Sequence, residues 1–583
     1  MVHQSENSSP LTIYHFQPAN ETEFLDSVNA CRDVCLVRLP SYKNNFALDS
    51  TNDMLAKTAA ALAESATLII IGEIPDLVHI HATLATAMRF QLWIAIKREP
   101  VQHPTNLSAL PNHHIAAVVY TKYNRPLEHT KTRLAYTYCP ACQKTTKDYG
   151  GKKHTYHPYG TLISDVWRDI TLAPDGNVAA VAERFADLFG LAHYEQLWAY
   201  DLRQLFKSQV QNIARPISDN AAVVQLDSQL LNGDCLAELQ KLPSNSIDFA
   251  FADPPYNLKK VYIGYADDMK IAEYFAWCDR WINEVARVLR PGGTFALLNI
   301  PLWSIRHFLH LETVLSFQNW IVWDALSFPV RMIMPAHYTI LCFSKGTPRP
   351  LPGLKAPSSE SMPAIEALKP LAEGFCLRAP CIADRSRRKM NDRGQLTDIW
   401  SDIHRLKHNS RRVDHPCQLP PQLLYRLITL FTQKGELVLD CFNGAGTSTL
   451  TAHQLGRRYI GIEHELKYHE LACMRHHEIE QGIDPFRKEE RVLTAKNSPV
   501  ARLKKQKYAV PKKTLQLEVR RVAELLNKLP SREEMITYGE YPIQYYDEYF
   551  SSWGEVCAAA RTTGMKETQE EYPIGTFSQK RLF

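Results

Sequence analysis

The feature that most constrains the fold is a strand–loop–helix–strand segment over residues 436–463. Apolar residues predict a strand at Glu436–Asp440, followed by the glycine-containing loop Cys441–Gly446 and a helix over Ser448–Leu455. A second strand, Arg458–Glu463, ends in an acid about twenty residues beyond the loop. Glycines let a ligand approach a helix N-terminus, and a carboxylate at that spacing can bind ribose hydroxyls. The segment therefore predicts a parallel α/β sheet with an adenosine-containing cofactor.

A second motif, Asp253-Pro254-Pro255-Tyr256, follows the apolar run Ser246–Ala252, which predicts a buried strand. The motif is then expected at the carboxyl end of a strand, where open α/β sheets bind ligands. Because proline lacks an N–H group, the loop offers carbonyl oxygens and a carboxylate beside an aromatic ring. Such a set suits a planar base with an exocyclic amino group. A chance surface turn is the alternative interpretation of the tetrapeptide taken alone.

Together these motifs resemble those of DNA amino-methyltransferases that use S-adenosylmethionine (SAM). The tetrapeptide D-P-P-Y is similar to the family's catalytic motif, and Phe442–Gly446 is similar to its F-x-G-x-G cofactor motif. The run His415–Pro420 resembles the H-P-x-Q-K-P segment, with Leu419 in place of the lysine. The catalytic motif precedes the cofactor motif, as in the permuted beta class. The resemblance covers residues 225–480 and implies a doubly wound, Rossmann-like α/β methyltransferase fold.

The resemblance also implies the residues of the site. The implied catalytic residues are Asp253, Pro254, Pro255 and Tyr256. The implied cofactor-binding residues are Asp234, His415, Pro416, Gln418, Asp440, Phe442, Gly444, Gly446, Thr447 and Glu463. Asp440 would contact the methionine amino group of SAM and Glu463 its ribose. Asp234 would contact the adenine, although Gly-Asp after a strand is also an ordinary turn.

The substrate implied by the resemblance is double-stranded DNA, with the target base flipped out of the helix. D-P-P-Y in the permuted class favours adenine N6, and cytosine N4 is the alternative. RNA as a substrate and a non-catalytic DNA-binding role are further alternatives. A cognate restriction enzyme or another defence partner, and a cytoplasmic, nucleoid-associated location, are expected with this function.

The chain of 583 residues is long enough for two to four domains, with 45% apolar and 22% charged residues. Neither a membrane-spanning apolar run nor a signal-peptide pattern is evident, so we expect no membrane association. The net charge of +5 is too small to indicate nucleic-acid binding. Basic runs are more informative: residues 385–393 and 405–412 lie in a target-recognition insertion expected at about 346–412. Solvated loops are their alternative interpretation.

Residues 1–205 are similar to a degraded copy of the 225–485 domain. Phe90–Ile94 parallels Phe317–Ile321, and Asp165–Asp169 parallels Asp398–Asp402. In the same register Leu39 replaces the aspartate of D-P-P-Y. We expect an inactive domain that takes the place of a second subunit, so that the protein is a monomeric pseudo-dimer or a homodimer. Convergent α/β patterning is the alternative.

The pair Cys139 and Cys142, followed by His154 and His157, predicts a structural Zn²⁺ site. Two packed thiols and two surface histidines are the alternative. Cys376 and Cys381 occupy a comparable place in the second copy, but their spacing is not C-x-x-C. The 13 cysteines are otherwise scattered and indicate reduced core residues.

A basic linker is expected over residues 486–513, followed by a helical module over 514–583. Helices are predicted over Leu515–Leu529 and after Ser531, which is a helix-capping residue. This module resembles the small repeat found beside homing endonucleases, which implies DNA binding. A helical packing module is the alternative.

Overall fold

The computed structural model describes most of residues 13–203, 225–258, 268–325, 337–354, 376–403, 418–486 and 510–562. Within these ranges it leaves out residues 41–44, 100–106, 124, 131, 137, 140, 146–159, 174–175, 177, 192–195, 377, 391–393, 511, 548 and 551. The chain divides into one compact unit over Met1–Arg487, with Glu571–Phe583, and a second over Lys488–Glu570. The first unit has two halves, which we call the first half (13–203) and the second half (225–486).

The first half is built on a mixed sheet. Its strands are β1 (Ile13–Phe16), β2 (Val34–Arg38), β3 (Thr67–Gly72), β4 (Arg89–Arg98), β5 (His114–Thr121), β6 (Arg133–Leu134), β7 (Tyr138–Cys139), β8 (Lys144–Thr145), β9 (Thr161–Leu162), β10 (Val166–Leu172) and β11 (Leu197–Asp201). Its helices are α1 (Glu21–Val28), α2 (Asn45–Ala61), α3 (Ile74–Leu84) and α4 (Ala179–Phe189). The main sheet has the order β1-β11-β2-β3-β5-β4-β10, and β7 and β8 form a separate hairpin.

The described residues of the second half form a sheet of eight strands. These are β12 (Gln229–Asn232), β13 (Ile247–Ala252), β14 (Leu289–Asn299), β15 (Ser316–Asp324), β16 (His337–Ser344), β17 (Ile399–Trp400), β18 (Leu437–Asp440) and β19 (Arg458–Glu463). The helices are α5 (Cys235–Lys241), α6 (Ile271–Val288), α7 (Pro301–Val314), α8 (Ala379–Arg387), α9 (Pro421–Phe431), α10 (Thr447–Gln454) and α11 (Leu466–Glu480). The order β12-β19-β18-β13-β14-β16-β15-β17 confirms the predicted α/β class.

The two sheets share a six-strand pattern. The run β11-β2-β3-β5-β4-β10 matches β18-β13-β14-β16-β15-β17, and in each run the fourth strand is antiparallel to both of its neighbours. The register shifts at the same place in both, between Phe90 and Leu92 and between Phe317 and Asn319. A strand equivalent to β19 does not occur among the described residues of the first half, where β1 pairs directly with β11.

The described residues of each half also contain the same arrangement of a tryptophan, an arginine and an aspartate. In both, the guanidinium lies over the tryptophan ring, at 5.6 Å and 5.1 Å from its centroid, and forms an ion pair with the aspartate at 2.6 Å. The two sets are Trp167, Arg184, Asp169 and Trp400, Arg426, Asp402. Their order along the chain is the same, and the two tryptophan indoles each donate to a carbonyl three residues earlier.

The halves pack against one another through contacts that occur in reciprocal pairs. Trp93 of β4 stacks on Trp320 of β15, with ring centroids 5.1 Å apart and planes at 20°. The imidazole of His114 lies 2.7 Å from the Asp398 carboxylate. Reciprocally, His337 lies 2.9 Å from Asp165. Because each partner stands at the corresponding strand of its own half, the interface has an approximate two-fold axis near the tryptophan pair.

The stretch Arg290–Gly293 lies within β14, which begins at Leu289, directly after α6. Its pairing with β13 shifts between Ile247 and Phe249, so the Pro-Gly-Gly stretch forms an irregularity inside the strand pair. Gly292 adopts φ +76°, which fits such a bulge because glycine has no Cβ to clash.

The second unit is helical. Its helices are α12 (Lys512–Leu526), α13 (Arg532–Tyr538), α14 (Gln544–Asp547) and α15 (Trp553–Thr562). Ser531 caps α13, as the sequence predicts, and forms a capping box with Glu534. The helices enclose a small apolar core that includes Val519, Met535 and Tyr546. Across the described part of the whole chain, no helix has the length and apolarity needed to span a bilayer.

Candidate functional site

The D-P-P-Y loop leaves the carboxyl end of β13 and is held by its own hydrogen bonds. Tyr256 Oη donates to Asp253 Oδ1 at 2.8 Å. Tyr274 Oη of α6 donates to the Pro255 carbonyl at 2.9 Å, and Trp303 Nε1 of α7 donates to the Tyr256 carbonyl at 2.8 Å. These donors fix two carbonyls of a segment that has lost two N–H groups to proline. The carboxylate and the tyrosine ring are therefore positioned as one unit.

The glycine loop follows β18 and leads into α10. Gly444 has φ +52° and Gly446 has φ +85°, values at which a side chain would strain the backbone. At Gly446 an added Cβ would also lie 3.0 Å from the Ala472 Cβ. Gly446 precedes Thr447, the first residue of α10, so the loop presents the N-terminal end of that helix.

Two carboxylates bracket the glycine loop. Asp440 is 3% exposed and accepts hydrogen bonds from the Phe442 N–H, at 2.9 Å, and from the Ser448 hydroxyl. Glu463, at the end of β19, accepts from Gly444 N–H at 2.7 Å and Glu465 N–H at 2.8 Å. The predicted acid therefore lies against the predicted loop.

Burial, with a smaller contribution from the nearby carboxylates of Asp253 and Glu463, raises the pKa of Asp440 to about 7, although its two hydrogen bonds oppose the rise. Burial likewise raises the pKa of Glu463, and its backbone hydrogen bonds oppose the rise. Carboxylates are thus concentrated in a buried place, where little solvent screens the repulsion between their negative charges. A cationic ligand would relieve that repulsion.

The catalytic and cofactor motifs meet because their strands are neighbours. β13 and β18 are parallel, and Phe251 pairs with Asp440, so both loops leave the same edge of the sheet. Phe442 packs edge-on against Trp277 and Trp281 of α6, with centroids 5.8 Å and 5.1 Å away. The Tyr256 ring lies 6.3 Å from that of Tyr338 on β16. The site is a carboxylate-rich crevice with aromatic walls.

The other residues implied by the resemblance have different outcomes. Asp234 follows β12 and caps α5, accepting from the N–H groups of Leu236 and Ala237 at 3.1 Å. Gln418 is half-buried just before α9, whereas His415 and Pro416 lie outside the described residues. Three residues of the site are not predicted by the sequence: Tyr274, Trp303 and Ser448. Their contacts join distant elements, or join the two ends of a short loop.

The equivalent edge of the first half is occupied by a salt bridge. Leu39, which replaces the catalytic aspartate, is buried, and Ser41 and Tyr42 lie outside the described residues. Beyond β11, Arg203 forms an ion pair with Asp201 at 2.6 Å and donates to the Gly176 carbonyl. Arg38, at the end of β2, donates to the same carbonyl. An arginine-rich network thus stands where the second half has its glycine loop.

A cluster of cysteines lies outside this site. The sulfurs of Cys139, Cys142, Cys376 and Cys381 all lie within 4.8 Å of one another. The first two come from the β7–β8 hairpin, Cys376 comes from the segment that leads into α8, and Cys381 lies in the first turn of α8. His154 and His157, which were expected to complete a site with Cys139 and Cys142, lie outside the described residues.

Comparisons with known proteins agree with the geometry. A family model described as DNA methylase matches residues 247–474, and one described as homing endonuclease associated repeat matches residues 510–560. The type II methyltransferase M.BamHI of Bacillus amyloliquefaciens is 35% identical over 239 residues, covering 40% of this chain and 54% of that protein. M.HpaI of Haemophilus parainfluenzae is 29% identical over 253 residues, or 42% of this chain and 73% of that protein.

A solved DNA modification methylase from Thermus thermophilus shares 25% identity with this chain. It aligns with 43% of this chain and 94% of its own, with a TM-score of 0.29. The chain spans about half the length of M.BamHI. The matched region contains both D-P-P-Y and the glycine loop, in the order that the sequence predicts. Residues 247–474 of this chain are thus similar to the DNA methylase family of N6/N4 amino-methyltransferases.

Proposed function

We propose that this protein is a DNA methyltransferase that transfers a methyl group from SAM to the exocyclic amino group of a flipped base. One observation carries the proposal. The D-P-P-Y loop and the glycine loop leave the same edge of the sheet from the neighbouring strands β13 and β18. An acceptor set for an amino group and a cradle for a cofactor therefore open into one crevice.

The residues around the glycine loop fit SAM. The cofactor supplies a methyl group on a positively charged sulfonium, and its amino group is a second cation. Asp440, whose carboxylate is surrounded by further negative charge, suits that amino group. Glu463 lies beside Gly444 and suits the ribose hydroxyls, and the N-terminal end of α10 suits the carboxylate.

The D-P-P-Y loop suits the chemistry at the base. The amino group of adenine or cytosine is a poor nucleophile because its lone pair is delocalised into the ring. Asp253 and the Pro254 carbonyl would accept its hydrogen bonds and stabilise the positive charge that develops as the nitrogen becomes tetrahedral. Tyr256 would stack on the flipped base, and its hydrogen bond to Asp253 holds stacking face and acceptor in one geometry.

We infer adenine N6 as the target, on the resemblance of D-P-P-Y to the adenine-modifying form of the motif. The relatives M.BamHI and M.HpaI are named type II methyltransferases, which supports a role beside a restriction enzyme. A DNA substrate would place the protein at the nucleoid.

The test is methylation of DNA with labelled SAM, followed by mass spectrometry of nucleosides. We expect N6-methyladenine from the wild-type protein and its loss in Asp253→Asn. Asp268→Asn, an exposed aspartate in the same connection, is the matched control and should retain activity. Calorimetry should show that Asp253→Asn still binds SAM. N4-methylcytosine would reverse the choice of base, and the absence of any methylated nucleoside with folded protein and varied DNA would contradict the proposal.

We also propose that the first half is an inactive copy that replaces a second subunit. The shared strand order, the matching register shifts and the reciprocal His–Asp pairs support a duplication. The salt bridge of Arg203 with Asp201 stands where a cofactor loop is needed. Under this proposal the chain is a pseudo-dimer with one active site. A version lacking residues 1–205 that still folds and binds DNA would count against it.

For the second unit we propose DNA binding. The match of residues 510–560 to a homing endonuclease associated repeat supports this role. Its own apolar core indicates that it can fold as a separate module. Removal of residues 510–583 should weaken DNA binding, measured by fluorescence anisotropy, while SAM binding is unchanged. Equal DNA affinity with and without the module would favour a packing role.

A further inference from the structure

We propose that Cys139, Cys142, Cys376 and Cys381 bind one structural Zn²⁺ ion that joins the two halves of the first unit. Each half supplies two thiols, and all four sulfurs lie within 4.8 Å of one another. Zinc favours tetrahedral sets of four thiolates in structural sites. This ligand set replaces the one expected from sequence, which took two cysteines and two histidines from the first half alone.

The sulfur separations fit a single ion. At a Zn–S distance of about 2.3 Å, the sulfurs of a tetrahedral site stand about 3.8 Å apart. Cys142 Sγ and Cys376 Sγ, which belong to different halves, are 3.8 Å apart. A disulfide needs sulfurs at about 2.05 Å, so this spacing is that of ligands around a common centre.

The local backbone is also that of a metal site. Cys139 and Cys142 have C-x-x-C spacing and lie in the tight β7–β8 hairpin, where Gln143 takes φ +54°. Cys376 and Cys381 have C-x₄-C spacing, within the range of structural zinc ligands. Arg385 Nη1 donates to the Cys376 carbonyl at 2.9 Å and ties that segment to α8.

Charge around the cluster is balanced by a neighbouring cation. Four thiolates around Zn²⁺ carry a net charge of about −2, which is costly where solvent is partly excluded. Cys376 and Cys381 are each 8% exposed. The Arg378 guanidinium forms a hydrogen bond with Cys142 and lies near the other thiols, so it offsets part of that charge.

The position of the cluster explains its role. The β7–β8 hairpin lies between β5 and β10, and Cys376 and Cys381 lie between β16 and β17. The two connections correspond, because β5 and β10 of the first half match β16 and β17 of the second. The ion would therefore lie between equivalent segments of the two halves, as the Trp93–Trp320 pair does. A metal there would crosslink segments 234 residues apart in sequence. It would hold the halves together beyond what apolar packing provides.

The test measures metal in the reduced, full-length protein by mass spectrometry after dialysis. We expect about one zinc per chain, lost in Cys139→Ser and equally in Cys376→Ser. Cys473→Ser removes an exposed cysteine outside the cluster and should retain full zinc content. Circular dichroism checks that each variant is folded.

A second readout avoids the variants. Wild-type protein depleted of zinc and loaded with Co²⁺ should show the strong visible absorption of a tetrahedral tetrathiolate site. Retention of zinc in Cys376→Ser, with loss in Cys139→Ser and in His154→Ala, would overturn the inter-half site. The proposal would also be overturned if the wild-type protein had neither zinc nor a cobalt spectrum. Iron or disulfides at these cysteines would overturn it as well.

Discussion

The buried carboxylate of Asp440 makes a quantitative prediction about pH. Its pKa is raised to about 7 because burial and neighbouring carboxylates disfavour the charged form. If the ionised form receives the SAM amino group, binding must release the proton. With a pKa of about 7, roughly 0.1 of the molecules are ionised at pH 6 and roughly 0.5 at pH 7. SAM affinity should therefore rise about fivefold over that interval, while the amino group of SAM stays protonated.

Calorimetry measures both consequences. The dissociation constant for SAM is determined at pH 6 and pH 7, each in two buffers of different ionisation enthalpy. The difference between buffers gives the protons released, which should approach about one per site at pH 6 and fall to about half at pH 7. Glu463→Gln tests the contribution of the second raised carboxylate and should leave most of the pH dependence. Equal affinity at the two pH values, with no proton released, would refute the role given to Asp440.

The same pKa shift makes the stability of the folded protein depend on pH. The direction of this dependence is opposite to that of an acid in a salt bridge. The folded pKa lies above the ordinary value of 3.8, so the folded state keeps a proton that the unfolded chain has lost. The stabilising contribution is therefore present below about pH 4 and is lost as pH rises through about 7. SAM should reverse this loss, so its thermal stabilisation of the protein should be greater at pH 7 than at pH 6.

Two further predictions concern the glycine loop and the interface. Gly446→Ala should lower the free energy of unfolding by about 1–2 kcal/mol more than Gly435→Ala. Both glycines have positive φ, so the backbone strain is similar, but an added Cβ meets Ala472 only at Gly446. Denaturant unfolding measures this difference, and equal costs would contradict the crowding argument. Asp398→Ala should cost about 1–3 kcal/mol, because its buried carboxylate forms hydrogen bonds with His114 across the interface and with the His113 N–H. Asp165→Ala should cost less, because the His337 ring lies 2.9 Å from Asp165 without the geometry of a hydrogen bond. Equal costs would contradict this difference.

The site was predictable where its residues are close together in sequence. The glycine loop, its flanking strands and Glu463 lie within one strand–helix–strand unit, whose geometry is limited by short connections. The position of D-P-P-Y was predictable for the same reason, because the motif directly follows its strand in sequence. Tyr274 and Trp303 were not predicted, because aromatic residues on an amphipathic helix are expected in the core, and nothing local indicates that their polar atoms reach the loop.

Long-range partners were the hardest to predict. The pattern of repeated residues indicated that the halves are similar, but not which side chains meet. His114 and Asp398 are 284 residues apart, and a histidine at a strand end carries no signal of its partner. For the same reason, the sequence predicts only part of the cysteine cluster. C-x-x-C in the first half was recognised, whereas Cys376 and Cys381 gain meaning when folding brings them to the hairpin.

Joining the two halves in one chain removes a constraint that identical subunits cannot escape. In a homodimer, any substitution at the two-fold axis occurs twice and must suit both sides. Here equivalent positions already differ: Asn319 bonds with the Leu110 backbone, whereas Leu92, at the corresponding place, packs into the first half's core. Under the proposed duplication, each side of the axis can evolve separately, so that one half would specialise while the other preserves the geometry of the proposed active site.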